Sequence, residues 1–134
     1  MTTHTARGAR RQLLASLLLA PALAAAQEMP PLKPCRDHPQ IRGACFKVHG
    51  RARGYMTMPT VRIQPSGTQR LLGVSEGRFR LDGYANFPPE LADAVKLGSE
   101  LSGDFTICPF EPQRPGVMQL VCVQSVSNPL ATGP

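Results

Sequence analysis

Apolar and basic side chains alternate along residues 45–53, and a shorter alternation follows at residues 60–64. Alternation with a period of two places successive side chains on opposite faces of a β-strand. The apolar face of these two predicted strands consists of Phe46, Val48, Val61 and Ile63. The opposite face is basic and consists of Lys47, His49, Arg51, Arg53 and Arg62. The pattern therefore predicts an antiparallel pair that carries a core face and a basic face in the same residues.

Three further strands and one helix are predicted after this pair. Residues 69–74 complete a three-stranded meander, and residues 101–110 and 117–126 form a hairpin. Between them, the two prolines at 88–89 suit the first turn of a helix, and Gly98 ends it. The segment 78–81 is compatible with one more short strand.

The first 26 residues have the three parts of a secretory signal. Arg7, Arg10 and Arg11 precede an apolar run at residues 13–26 that ends in three alanines. This run is shorter than the roughly 20 residues that a membrane helix requires. The sequence therefore predicts a cleaved signal peptide and a periplasmic or secreted protein without a membrane span. The arginine pair followed by leucines also resembles a twin-arginine signal, so both export routes stay open.

Four segments are predicted. A signal peptide (1–26) is followed by a proline-rich extended lead-in (27–44), one β-barrel domain (45–127) and a disordered tail (128–134). Removal of the signal from the 134 residues leaves 108, which suffices for one domain. Proline lacks the N–H that a strand or helix needs, which makes the lead-in extended. Small residues and proline dominate the tail.

The predicted order of three strands, a short helix and two strands, with Gly50 inside the first strand, resembles the OB-fold. That fold is a mainly β, five-stranded Greek-key barrel with its helix between strands three and four. A narrower resemblance, to a family of small exported bacterial proteins of unassigned function, is carried by Cys45-Phe-Lys-Val-His-Gly-Arg, Val61-Arg-Ile, Arg70-Leu-Leu-Gly-Val, Gly103-Asp-Phe-Thr-Ile-Cys-Pro-Phe and Met118-Gln-Leu-Val-Cys-Val-Gln-Ser. The resemblance implies export and an OB-like barrel, and it implies no catalytic residue. A distorted β-sandwich is the structural alternative.

Four cysteines in an exported domain predict two disulfides. They are Cys35, Cys45, Cys108 and Cys122. The last hairpin places Cys108 nearly opposite Cys122, so the favoured pairing is Cys108–Cys122 with Cys35–Cys45. A different barrel register would instead pair Cys45 with Cys108.

Metal and catalytic alternatives depend on the same cysteines. The spacings Cys35-x2-His38 and Cys45-x3-His49 look like zinc ligands. Four residues along one strand separate two side chains by about 13 Å, which one tetrahedral ion cannot span. The sequence also lacks a Ser-His-Asp signature, a glycine-rich phosphate loop and a paired-carboxylate motif. The prediction is a non-enzymatic protein without metal or cofactor, with a small metalloprotein or enzyme as the less favoured alternative.

The basic face is the predicted binding site, because charge is unevenly distributed. Residues 42–80 hold eight basic and one acidic residue, whereas residues 81–134 hold two basic and six acidic. A turn centred between residues 56 and 57 would place Arg51 opposite Arg62, and opposed like charges favour a bridging anion. Nucleic acid ranks below an anionic envelope glycan or an envelope protein, since Tyr55 is the one evident stacking aromatic on this hairpin. The alternative is an accessory, disulfide-stabilised envelope protein whose acidic residues fold across the basic face.

Overall fold

The computed structural model describes residues 1–2, 21, 24–28, 30–74 and 83–133. The strands are β1 (Phe46–Gly54), β2 (Val61–Pro65), β3 (Leu72–Val74), β4 (Glu100–Pro109) and β5 (Gln119–Thr132). One short helix, α1 (Pro89–Ala94), and one 3-10 turn, Cys35–Asp37, accompany them. Most of the predicted signal peptide, and all of the predicted segment 78–81, lie outside the described residues.

The five strands close into a barrel in the order β1-β2-β3-β5-β4. Neighbouring strands are antiparallel except β3 and β5, which run parallel. Because β1 pairs with both β2 and β4, it closes the barrel. The predicted mainly β, five-stranded barrel is thus confirmed, and the alternative of a distorted sandwich is wrong.

Apolar side chains fill the barrel interior. The largest fully buried ones come from all of the strands but β1, together with Leu91 of α1, and they include Phe105, Ile63, Leu72, Leu101, Ile107, Val121 and Val123. From β1, Ala52 is buried, and Phe46 and Val48 pack against the core from partly buried positions. The predicted alternation of β1 and β2 is therefore confirmed, since its apolar set faces the core.

Gly50 lies where β1 contacts both of its neighbours. It is the register partner of Pro65 on β2 and of Gly103 on β4. A Cβ at position 50 would lie 3.0 Å from the carbonyl carbon of Gln64 and 3.0 Å from the Cα of Pro65. Only glycine lets the β1 and β2 backbones approach this closely.

The predicted disordered tail is wrong through Thr132. Residues 130–132 continue β5 and pair with Glu100, Leu101 and Ser102 of β4. Before this stretch, β5 has two residues, Asn128 and Pro129, where β4 has only Gly103, so the register shifts there. Asn128 has φ 50°. A bulge is where a proline costs no ladder hydrogen bond, so Pro129 does not end the strand.

In the described part of the lead-in, regular structure is limited to the 3-10 turn and an isolated bridge between Lys33 and Tyr84, and the rest of the chain holds this segment in place. The N–H of Lys33 donates to the Gly83 carbonyl at 2.8 Å, and the N–H of Arg42 donates to the Pro109 carbonyl at 2.7 Å. Cys35 is 2% exposed and forms a disulfide with Cys122.

All four cysteines form disulfides, as predicted, but the favoured pairing is wrong. The bridges are Cys35–Cys122 and Cys45–Cys108. Cys108 does lie opposite Cys122 in the β4–β5 register. Cys45, however, immediately precedes Phe46, which pairs with Ile107 on the other side of β4. Barrel closure therefore gives Cys108 two cysteine neighbours, and the alternative pairing with Cys45 is the one found.

We predict that Gly50→Ala lowers the free energy of unfolding by about 1–3 kcal/mol, because overpacking against a fixed backbone has that cost. Denaturant unfolding under non-reducing conditions measures it. Gly133→Ala is the matched control, since a Cβ there meets nothing within 4 Å. Equal stability of the two variants would contradict the close approach of β1 and β2.

Candidate functional site

The predicted basic residues lie on the outer surface of the barrel. On β1, Lys47, His49, Arg51 and Arg53 are exposed, and Arg62 on β2 is half-buried. They share this side because the intervening residues of both strands face the core. The structure separates them into two groups: the arginines line a groove, whereas His49 and Lys47 lie nearer the other end of β1.

The predicted register of β1 and β2 is wrong by two residues. Arg53, not Arg51, lies opposite Arg62, and Arg51 lies opposite Gln64. The turn centres one residue further along the chain than predicted, and pairing extends to Gly54 and Val61. A shift of two residues leaves each side chain on the same face of its strand. An opposed pair of arginines therefore exists, but it consists of Arg53 and Arg62.

Glu100 of β4 contacts two of the three arginines, Arg53 and Arg51. One carboxylate oxygen, Oε2, accepts a hydrogen bond from Arg53 Nε at 3.0 Å and lies 2.9 Å from Arg53 Nη2. The other, Oε1, lies 3.7 Å from Arg51 Nη1. Glu100 is the register partner of Arg53, so the β1–β4 ladder fixes this contact. One carboxylate shared by two arginines leaves the groove positively charged.

Arg62 is positioned by contacts with an aromatic ring, a hydroxyl and a carbonyl. Its guanidinium carbon lies 4.2 Å from the centroid of the Tyr55 ring. Nη2 donates to Thr57 Oγ1 at 3.0 Å, and Nε donates to the Pro59 carbonyl at 3.4 Å. Among the described residues, no carboxylate oxygen lies within 4 Å of this side chain. Arg62 is therefore a cation that is held in place and that no described residue neutralises.

The three arginines enclose a shallow cavity of about 80 Å³. Its lining consists of Arg51, Arg53, Tyr55, Arg62, Gln64, Leu71 and Glu100. Guanidinium groups bind carboxylate or phosphate through paired N–H donors, so this groove can take a small anionic group. Gln64, Leu71 and Glu100 line the cavity although the sequence did not predict them as site residues. The one signal for Glu100 in the sequence is the excess of acidic residues in the second half of the chain.

His49 contacts an acid instead of the groove. Its Nδ1 lies 2.8 Å from Asp104 Oδ1, and Asn128 Nδ2 donates to Asp104 Oδ2 at 2.9 Å. The hydrogen bond from Asn128, followed by that with His49, lowers the pKa of Asp104 below its ordinary value. The acidic second half of the chain therefore folds across the basic face at two places, through Glu100 and through Asp104.

The residues of the metal alternative are engaged elsewhere. Cys35 and Cys45 belong to different disulfides, and the chain has no free cysteine. His38 is 4% exposed and packs against the rings of Tyr84 and Phe110, at centroid distances of 4.7 and 5.0 Å. In this oxidised state no thiolate is available as a zinc ligand.

Comparisons of the chain with protein-family models, with curated proteins and with solved structures find no match. Among the described residues, no helix is long and apolar enough to cross a membrane.

We predict that the Asp104 carboxyl titrates below its ordinary pKa of 3.8. Because the pKa is lowered by folding, this carboxylate stabilises the folded state above about pH 3.8, and the contribution is lost as pH falls through the folded-state pKa. Carbon-detected NMR titration measures the value directly. Asn128→Ala is expected to raise it, and an unchanged pKa in that variant would contradict the assigned cause.

Proposed function

We propose that this protein is a non-enzymatic, exported binding domain that takes an anionic ligand in the groove of Arg51, Arg53 and Arg62. The observation that carries the proposal is Arg62, which is stacked on Tyr55 and hydrogen-bonded in place but has no carboxylate partner among the described residues. A pre-positioned arginine loses little conformational freedom when it binds an anion. The favoured ligand is an anionic envelope glycan, and an acidic surface of an envelope protein offers the same chemistry.

We also propose that the barrel has the Greek-key topology of the OB-fold. An OB-like Greek-key barrel is supported by the strand order β1-β2-β3-β5-β4 and by the parallel pairing of β3 with β5. OB-fold barrels bind oligosaccharides and oligonucleotides across the face of strands two and three and the adjoining loops. The groove lies beside the β1–β2 loop, which supplies Tyr55. The charge of the groove, and not the fold, indicates an anionic ligand.

Export is also a proposal. It is supported by the signal-like composition of residues 1–26 and by the two disulfides, which persist in oxidising compartments. The resemblance to small exported bacterial proteins supports the same location, periplasmic or secreted.

We predict that Arg62→Ser weakens binding of an oligogalacturonate at least about tenfold, because charge-assisted hydrogen bonds contribute about 1.5–3 kcal/mol. Isothermal titration calorimetry at low salt measures the dissociation constant. Arg114→Ser is the control, since it removes the same charge from an exposed position outside the groove. A neutral maltooligosaccharide of the same length separates charge recognition from general sugar binding. Equal affinity of the two arginine variants would contradict the proposed site.

Replacement of Glu100 should have the opposite effect. Glu100→Gln removes the negative charge that Arg51 and Arg53 share, so we predict tighter oligogalacturonate binding and a steeper dependence on salt concentration. Thermal unfolding provides the control for folding. Weaker binding by a folded Glu100→Gln protein would show that the carboxylate contacts the ligand or that the site lies elsewhere.

A second candidate is an accessory envelope protein, stabilised by its disulfides, whose basic face has no ligand. The observation that favours it is the internal pairing of Arg51, Arg53 and His49 with Glu100 and Asp104. It predicts no measurable anion binding by the native protein and no effect of Arg62→Ser. It also predicts a large loss of stability on reduction, because each disulfide contributes about 2–4 kcal/mol.

A further inference from the structure

The two disulfides lie side by side. The sulfur atoms of Cys35, Cys108 and Cys122 all lie within 4.8 Å of one another, although Cys108 is bonded to a different partner, Cys45. A sulfur of one bridge is thus close to both sulfurs of the other. Two disulfides that only stabilised the fold would not need to lie this close together.

The four cysteines differ in their access to solvent. Cys45 is exposed, whereas Cys35 is 2% exposed and Cys108 and Cys122 are fully buried. Cys45 is therefore the cysteine at which a dissolved thiol can approach the pair of bridges, whereas the Cys35–Cys122 bridge is closed to it without local opening. Access to the buried bridge leads through the exposed one.

The β4–β5 register provides an alternative bond. Cys108 and Cys122 are directly opposed residues of this ladder, and opposed side chains lie on the same face with Cβ atoms about 4.5–5.5 Å apart. Disulfides commonly join residues whose Cα atoms are about 4.4–6.8 Å apart, a range that includes opposed strand residues. A Cys108–Cys122 bond can therefore form while the barrel ladder stays intact.

We propose that the four cysteines form a thiol–disulfide exchange site that reacts stoichiometrically, without turnover, and whose substrate is a small thiol or dithiol. The thiolate of the substrate attacks the sulfur of Cys45, which forms a mixed disulfide and releases Cys108 as a thiolate. Cys108 then attacks the sulfur of Cys122, which forms the Cys108–Cys122 bond and releases Cys35 as a thiolate. A second substrate thiolate attacks the substrate sulfur of the mixed disulfide and releases Cys45.

This sequence of steps balances as a two-electron reduction. Two substrate thiols become one substrate disulfide, and one of the two protein disulfides is lost. The two protons of the substrate thiols end on Cys35 and Cys45. The remaining bond, Cys108–Cys122, joins two adjacent strands of the barrel, so the half-reduced protein keeps a bridge between β4 and β5. The exchange does not depend on the anion-binding function proposed above.

Partial reduction of the native protein tests the proposal. The protein is equilibrated with mixtures of reduced and oxidised glutathione, quenched with acid, denatured, alkylated and mapped by peptide mass spectrometry. The expected two-electron species has alkylated Cys35 and Cys45 and a Cys108–Cys122 crosslink. A species with alkylated Cys45 and Cys108 and an intact Cys35–Cys122 bridge would overturn the proposal, and so would direct loss of both bridges without an intermediate.

Removal of the exposed bridge provides a kinetic test. In a Cys45→Ser/Cys108→Ser protein, there is no Cys108 thiolate to attack Cys122. Reduction of the buried Cys35–Cys122 bridge by glutathione should therefore be at least about tenfold slower than cleavage of the same bond in the native protein. Circular dichroism checks that the variant is folded. An equal or faster rate in a folded variant would overturn the proposal. If the variant does not fold, the peptide mapping of the native protein decides.

Discussion

The pairing of β1 with two neighbours is the constraint on which the rest of this structure depends. β1 shares one ladder with β2 and another with β4, and Gly50 lies at the contact of all three strands. Because both ladders are antiparallel and continuous there, they fix which distant residues meet. They bring Glu100 beside Arg53, Asp104 beside His49, and the residue before β1, Cys45, beside Cys108.

The electrostatic consequences follow from this arrangement. Arg53 lies between an acid on β4, Glu100, and another arginine on β2, Arg62. Ion pairs at exposed positions contribute little to stability, about 0–1 kcal/mol, so these contacts do not hold the barrel together. Their effect is to set the charge of the groove: one carboxylate reduces the positive potential without cancelling it. The groove thus combines fixed arginine geometry with a positive charge that Glu100 only partly offsets.

The sulfur cluster and the arginine groove lie towards opposite ends of β1. Eight residues separate Cys45 from Arg53, which corresponds to roughly 25 Å of extended strand. The two candidate sites are therefore not in direct contact. Both features nevertheless arise from the same β1–β4 ladder.

The sequence by itself determined the local features: the strands, the side of β1 that faces the core, the basic composition of the other side and the oxidation of the four cysteines. These follow from a period of two and from residue chemistry, both of which depend on near neighbours. The tertiary structure decided the disulfide pairing, the opposition of Arg53 to Arg62, the contact with Glu100 and the pairing of residues 130–132. Each of these depends on which strands are adjacent and on where a turn or bulge adds a residue. The alternation of apolar and polar residues is unchanged when one strand shifts by two residues against its neighbour. The pattern alone therefore cannot determine which register forms.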